Sequence, residues 1–242
     1  MKQLVVIPIF WGAGWRPPAT PRSFLGGRRL TGAVEDVLGA GDNSFSYIDI
    51  NGALWLIMHN FWYFRGLAEY GIEPGWVYPS HIVEEGPSHR TFGGDDCWQV
   101  LDNVVVEGDV PAPSSWDENI KALYAVFVEP GHYETDPNHF GWNDPYRDGA
   151  SKVWVTANSD LAGGIETYAH EMVEGATGKQ IADGPEENGP CGGKVVIDHL
   201  RLPTYWSEKL QACWPSDHAV FLAESLHSPE IVVFEEFHVL VR

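Results

Sequence analysis

The sequence predicts an α/β (α+β) fold in which a helix packs on a mixed, twisted sheet within a single domain. Three observations lead there. The run Leu123-Tyr124-Ala125-Val126-Phe127-Val128 is almost continuously apolar and is bounded by Pro130-Gly131, which is the pattern of a central strand covered on both faces. A second β-rich run, Lys152-Val153-Trp154-Val155-Thr156-Ala157, passes through the polar turn Asn158-Ser159-Asp160 into a helical segment containing His170, Glu171 and Glu174. No Pro/Ser-rich linker or charge run divides the 242 residues, so one domain is expected over 1–242.

The elements follow in chain order. Gln3-Leu4-Val5-Val6-Ile7-Pro8-Ile9-Phe10 reads as an opening strand, and Gly12 to Pro18 as a Gly/Pro loop. A helix is expected from about Leu30 to Leu38. Between Ile50 and Glu69 the positions Leu54, Ile57, Met58, Phe61, Trp62 and Leu67 recur at helical spacing, predicting one long helix; His59, set among those apolar residues, reads as a hydrogen-bonded core histidine. Trp76 to Val83 reads as a strand. Asp95 to Val106 reads as a helix whose leading acids suit its positive end. Gly131 to Ser151 reads as a long polar loop holding His132, His139, Trp142, Asp144 and Asp148. Within it Asp136-x-Asn138-x-Phe140-Gly141 begins like a calcium loop, but Arg147 stands where the closing Glu belongs, which excludes an EF-hand. The helix after Asp160 is expected to start between Gly163 and Glu166 and to stop at Gly175 or Gly178, because glycine commonly follows a helix end. Further strands are expected at Ala219 to Ala223, Ile231 to Phe234 and Phe237 to Leu240. No internal repeat is visible.

The chemistry concentrates in His170-Glu171-Met172-Val173-Glu174. A His and a Glu four apart project from one helix face with a second carboxylate beside them. In an H-E-x-x-H zinc site two imidazoles bind the metal and the intervening Glu is the general base; here Glu174 takes the place of the second imidazole. Zinc accepts a carboxylate oxygen at nearly the distance it accepts a histidine nitrogen, at the cost of a less Lewis-acidic site. The plainer reading is an amphipathic helix with a His and two acids on its wet face. The loop Asp183 to Cys191 is acid-rich and suited to return a third ligand.

Composition bounds the partners. Acids outnumber bases 34 to 15, a formal net charge of -19, which argues against nucleic acid and anionic membrane surfaces and leaves divalent cations and basic substrates compatible. Solubility alone also accounts for such a charge. No apolar segment approaches the roughly 20 residues that span a bilayer, so no membrane insertion is expected. The opening strand lacks the cleavage site of a secretory leader, so the chain reads as cytoplasmic if Met1 is the natural start, or as having lost a leader. Of three cysteines, Cys191 and Cys213 share the C-terminal stretch and are expected to pair, leaving Cys97 as a buried thiol. Most of the 11 Trp are expected in the core, a minority lining a groove for sugar or peptide.

Taken together, these landmarks resemble a secreted zincin-like family that includes the EXORDIUM (phosphate-induced) proteins of plants and their bacterial and fungal relatives. The resemblance rests on Ile9-Phe10-Trp11-Gly12 with Trp15 after it, the strand Leu123 to Val128, the phrase His170 to Thr177, the acidic stretch Glu186 to Cys191, and Tyr205-Trp206-Ser207 with Cys213. The phrase His170 to Thr177 is the specific part. Gly178-Lys179 departs from the family's Asp/Asn-Pro pair, and Gly189 stands where the family has an Asp before Cys191. The resemblance implies a single zincin-like domain, secretion, and Glu186 as the third metal ligand beside His170 and Glu174. Asp183, Asp198, His199 and His139 are the other candidates for that third position.

The expectation is a zinc-dependent hydrolase, most simply a metallopeptidase acting on a peptide, protein or cell-wall-type substrate. Zn²⁺ on His170, Glu174 and Glu186 would activate a water, and Glu171 would take its proton. A different class is a non-catalytic binding protein on the same scaffold, recognising carbohydrate or peptide through its Trp residues. A weaker third reading is a glycoside hydrolase pairing Glu171 or Glu174 with an acid of the Glu186 loop. The chain has no G-x-S-x-G elbow, P-loop or dinucleotide glycine pattern.

Overall fold

The computed structural model describes residues 1–16, 47–59, 61–156, 161–182, 191, 193–197 and 200–216. Its centre is a parallel pair. Strand β1 (Lys2–Trp11) runs beside β5 (Ile120–Val128) in unbroken register from Gln3 opposite Ile120 to Trp11 opposite Val128. Both strands are apolar on both faces, so neither can sit at a wet surface. Two further parallel strands flank β1, namely β2 (Ile72–Val77) and β3 (His81–Val83), while β8 (Ser151–Thr156) pairs with β5 on the other side. The antiparallel strand β7 (Gly141–Pro145) closes that side, giving a six-stranded mixed sheet.

The period-two pattern sorts the core into two layers. Leu4, Val6, Phe10, Leu123, Ala125, Phe127, Val153 and Val155 face helices α1 (Tyr47–His59), α2 (Phe61–Arg65) and α4 (Leu161–Thr177). Val5, Ile7, Ile9, Trp11, Tyr124, Val126, Val128 and Trp154 face helix α3 (Gly94–Glu107). Each buried branched or aromatic side chain contributes about 1.5–3 kcal/mol. In α4 the buried residues Ile165, Tyr168, Ala169, Met172, Val173 and Ala176 recur at three- and four-residue steps, the stripe that holds this helix on the sheet. Gly178 then takes a left-handed φ of 69° and donates its N–H to the Glu174 carbonyl at 2.7 Å, ending the helix.

Apart from the six-stranded sheet, three small pairings are described. Strands β9 (Lys194–Ile197) and β10 (Leu200–Pro203) form one hairpin and β11 (Tyr205–Ser207) and β12 (Ala212–Trp214) another, while β4 (Thr91–Phe92) and β6 (Tyr133–Glu134) pair in parallel. The Tyr205 hydroxyl donates to the Tyr63 carbonyl, and the Trp206 N–H donates to the Ile181 carbonyl at 2.7 Å, so the second hairpin is tied to α2 and to the chain leaving α4. Cys191 and Cys213 form a disulfide, as expected, and Cys97 is a buried thiol whose pKa burial pushes well up, which leaves it inert.

Several expectations are corrected. The helix read from Ile50 to Glu69 is helical over the described residues Tyr47–His59 and Phe61–Arg65, but its last part, Gly66–Tyr70, is a 3-10 turn. Gly66 explains the tight turn, because a Cβ there would lie 2.6 Å from the Trp214 ring. His59 is an exposed residue, stacked on Trp55 and bonded from Nδ1 to the Trp55 carbonyl at 2.9 Å, not a core histidine. The strand read from Trp76 to Val83 is two strands, since Pro79 has no N–H to give a ladder. The polar segment Gly131 to Ser151 contains the edge strand β7 as well as loop. Helix α4 is already helical at Leu161, before Gly163. The helix expected near Leu30 and the C-terminal strands lie outside the described residues.

One carboxylate fastens two loops at the carboxyl end of the sheet. Glu129, which follows β5, accepts the Gly14 N–H at 2.8 Å. A Cβ on Gly12, Gly14 or Gly86 would come within 2.1, 2.7 or 2.3 Å of the Glu129 side chain. The loops after β1 and β3 close on Glu129 because glycine stands at all three positions.

Two substitutions test this packing. Gly75 is the extra residue where the β1–β2 register shifts between Leu4 and Val5, and a Cβ there would lie 2.1 Å from the Leu4 carbonyl oxygen. Gly75→Ala is expected to lose about 2–3 kcal/mol in urea denaturation, and an unchanged midpoint would show that the bulge is not so tight. The Tyr168 hydroxyl is buried without a hydrogen-bond partner among the described residues. Tyr168→Phe is therefore expected to raise the thermal midpoint, gaining about 1 kcal/mol, whereas a drop would reveal a partner for that oxygen.

Candidate metal centre

Helix α4 brings His170, Glu171 and Glu174 to one place, and β7 and β8 decide which way the carboxylates point. The stripe from Ile165 to Ala176 faces the core, which turns the adjoining edge of the helix, Thr167, Glu171, Glu174 and Gly175, toward the two strands. The approach is close. A Cβ on Gly141 would lie 2.6 Å from Thr167 Cγ2 and 3.0 Å from Glu171 Cγ, and one on Gly175 would lie 3.1 Å from Leu123 Cδ1 and 3.3 Å from Val153 Cγ1. Glycine on both elements lets β7 reach the carboxylates.

His170 Nε2 lies 3.8 Å from Glu174 Oε1, with the imidazole 29% exposed and the Glu174 side chain 5% exposed. Glu171 is 8% exposed. Both carboxylates are held by one residue of the edge strand: Asn143 Nδ2 donates to Glu171 Oε2 at 2.6 Å and to Glu174 Oε2 at 3.1 Å. The Ala182 N–H donates to Glu174 Oε1 at 3.3 Å. Burial of two carboxylates around one amide is a low-dielectric environment that favours a cation beside them.

The donor set suits zinc or a similar ion. Two ligands about 2.1 Å from a tetrahedral ion stand roughly 3.4 Å apart, close to the 3.8 Å between His170 Nε2 and Glu174 Oε1. Asn143 takes the Oε2 atoms, the place an outer hydrogen bond would have if Glu174 were a ligand. Of the third-ligand candidates, Glu186, Asp183, Asp198 and His199 lie outside the described residues. His139 is drawn instead to the acids of its own loop, with Nδ1 at 3.7 Å from Glu134 and 3.9 Å from Asp136. Among the described residues no group of three or more His, Cys, Asp or Glu is arranged to hold a metal ion.

Asn143 is the residue of this candidate site that sequence reasoning missed. Gly-Trp-Asn-Asp-Pro has none of the β-branched residues that announce a strand. Its register opposite Val153, which puts Asn143 on the α4 side of the sheet, emerges only from the pairing.

Asn143→Ala removes two donors from buried carboxylates and is expected to cost about 2–4 kcal/mol in urea denaturation at neutral pH. Asn143→Asp, which adds a third carboxylate, is expected to cost more. A wild-type midpoint in both variants would show that Asn143 does not hold the pair. The chain matches no protein-family model, no curated protein and no solved structure.

Proposed function

We propose that this chain is a zinc-dependent hydrolase of the zincin type, most simply a metallopeptidase related to the EXORDIUM proteins. The observation that carries the reading is the approach of His170 Nε2 to Glu174 Oε1 on a sheltered helix edge, with Glu171 held beside them. In this reading His170 and Glu174 hold the metal, with Glu186 as third ligand. Bound there, zinc would supply Lewis acidity toward a scissile carbonyl and acidify a water. Glu171 accepts the proton of the attacking water on its carboxylate and returns it to the leaving amine, so carboxylate and acid alternate through the cycle. Asn143 keeps Glu171 turned toward the ligand pair. With two carboxylates in the ligand set, hydrolysis is expected to be slower than at a two-histidine site.

The edge strand suits a peptide substrate. Phe140 and Trp142 are 46% and 47% exposed along the strand that carries Asn143; Trp142, opposite Trp154, lies on the α3 face, so an extended chain added to this edge would meet the aromatics on one face and the carboxylates on the other. The same exposed aromatics favour a second reading, a non-catalytic protein that binds peptide or carbohydrate on this scaffold. The Cys191–Cys213 disulfide supports secretion, since disulfides persist in oxidising compartments. No described helix is long and apolar enough to cross a membrane.

Elemental mass spectrometry on protein purified without a metal-affinity tag is expected to find about one zinc per chain, lost in His170→Ala. Glu171→Gln is expected to keep the zinc and lose turnover of a peptide library by about 10²–10⁴-fold. Zinc binding with no difference between wild type and Glu171→Gln on any peptide would favour the binding protein. Absence of stoichiometric metal after zinc is resupplied would end the metallopeptidase reading.

A further inference from the structure

A second cavity lies on the opposite face of the sheet, against helix α3, and it is built differently. It holds about 280 Å³ between α3 and the chain leading into β4, with Trp11 and Phe92 among its lining residues. Those two rings meet edge to face at 5.9 Å, and the Trp11 indole N–H is committed to the Glu85 carbonyl. The rings therefore offer apolar surface and no further donor.

The wall opposite is polar in a regular way. Asp96, Gln99 and Asn103 recur at three- and four-residue steps along α3, while Cys97, Leu101 and Val104 turn to the core. Gln99 and Asn103 make no side-chain hydrogen bond to protein among the described residues, and Ser88 adds a hydroxyl from across the cavity. An amide presents a donor pair and an acceptor together, and the Asp96 carboxylate, whose Oδ2 accepts the Gly93 N–H at 2.8 Å, adds its Oδ1. That alternation matches a ligand whose every polar group both donates and accepts, which is the description of a polyol. No Lys or Arg lines the cavity; His89 is the basic side chain in its lining, and the Asp96 carboxylate beside it opposes a phosphate or carboxylate ligand. The volume, at the low end for small-molecule sites, admits one sugar ring and excludes a nucleotide or a peptide of several residues.

We propose that this cavity binds a small neutral polyol of monosaccharide size, with its C–H surface toward the rings and its hydroxyls on Gln99, Asn103 and Asp96. The site is independent of the metal centre, which lies across the sheet. About a dozen ligand atoms at ordinary efficiency give a dissociation constant of order 1 mM.

Ligand-observed saturation-transfer NMR on the full chain tests this, with glucose, galactose, mannose, xylose and N-acetylglucosamine as probes and glucose 6-phosphate as the anionic control. At least one neutral sugar is expected to receive saturation. Its affinity is expected to fall about tenfold or more in Gln99→Leu/Asn103→Leu, both exposed positions, and to be unchanged in His170→Ala. A thermal melt confirms that the double variant is folded, and Asn103→Ala alone provides a milder substitution with the same expected direction. Silence from every neutral sugar would overturn the proposal. So would binding that survives the double variant, binding that disappears with His170, or a preference for the phosphorylated sugar.

Discussion

The pairing of β1 with β5 is the constraint on which the rest of the structure depends. Nine residues of each strand run side by side from Gln3–Ile120 to Trp11–Val128, and both faces of the pair are apolar. A sheet centre of that kind must be covered twice. Helix α3 covers one face and helices α1, α2 and α4 the other, and the two core layers never exchange residues because side chains alternate along each strand. The candidate metal centre is a product of this arrangement. With its stripe from Ile165 to Ala176 turned inward, α4 brings its next edge against β8 and β7, and that edge carries Glu171 and Glu174.

The sheltered carboxylates are a local exception to the economy of the core. They stay buried because β7, an edge strand with little β propensity of its own, places one amide between them. Gly141 and Gly175 let strand and helix come close enough for that amide to reach. A strand chosen for stability would put a β-branched residue at position 143.

The sheet, its central strand and the helix bearing His170 were legible in the sequence because each is announced by a continuous apolar run or a helical stripe. The pairing of Cys191 with Cys213 was legible for a simpler reason, their nearness within the C-terminal stretch. The 3-10 end at Gly66–Tyr70 was hidden because Leu54, Ile57, Met58 and Leu67 keep a helical rhythm up to and into it, whereas the close approach of Trp214 to Gly66 comes from some 150 residues away in the chain. His59 was misread for a related reason: its neighbours in sequence are apolar, but its own direction on α1 is outward, onto Trp55. Strand β7 and Asn143 were hidden because their structure is conferred by β8 and not by their own residues. Local pattern reports what a segment contributes, and tertiary pairing reports what it receives.

The Glu129 anchor has a consequence for how this chain can vary. Gly12, Gly14 and Gly86 lie on two separate loops, yet each is small for the sake of the same side chain. Their fates in evolution are thus linked to position 129. While a glutamate stands there, none of the three can acquire a side chain unless the loops move. Shortening it would release the steric limit at all three together, though Gly12, at a φ of +123°, would still resist. Positions 12, 14, 86 and 129 should therefore drift as a group among related chains, a pattern of covariation set by one carboxylate rather than by any shared motif.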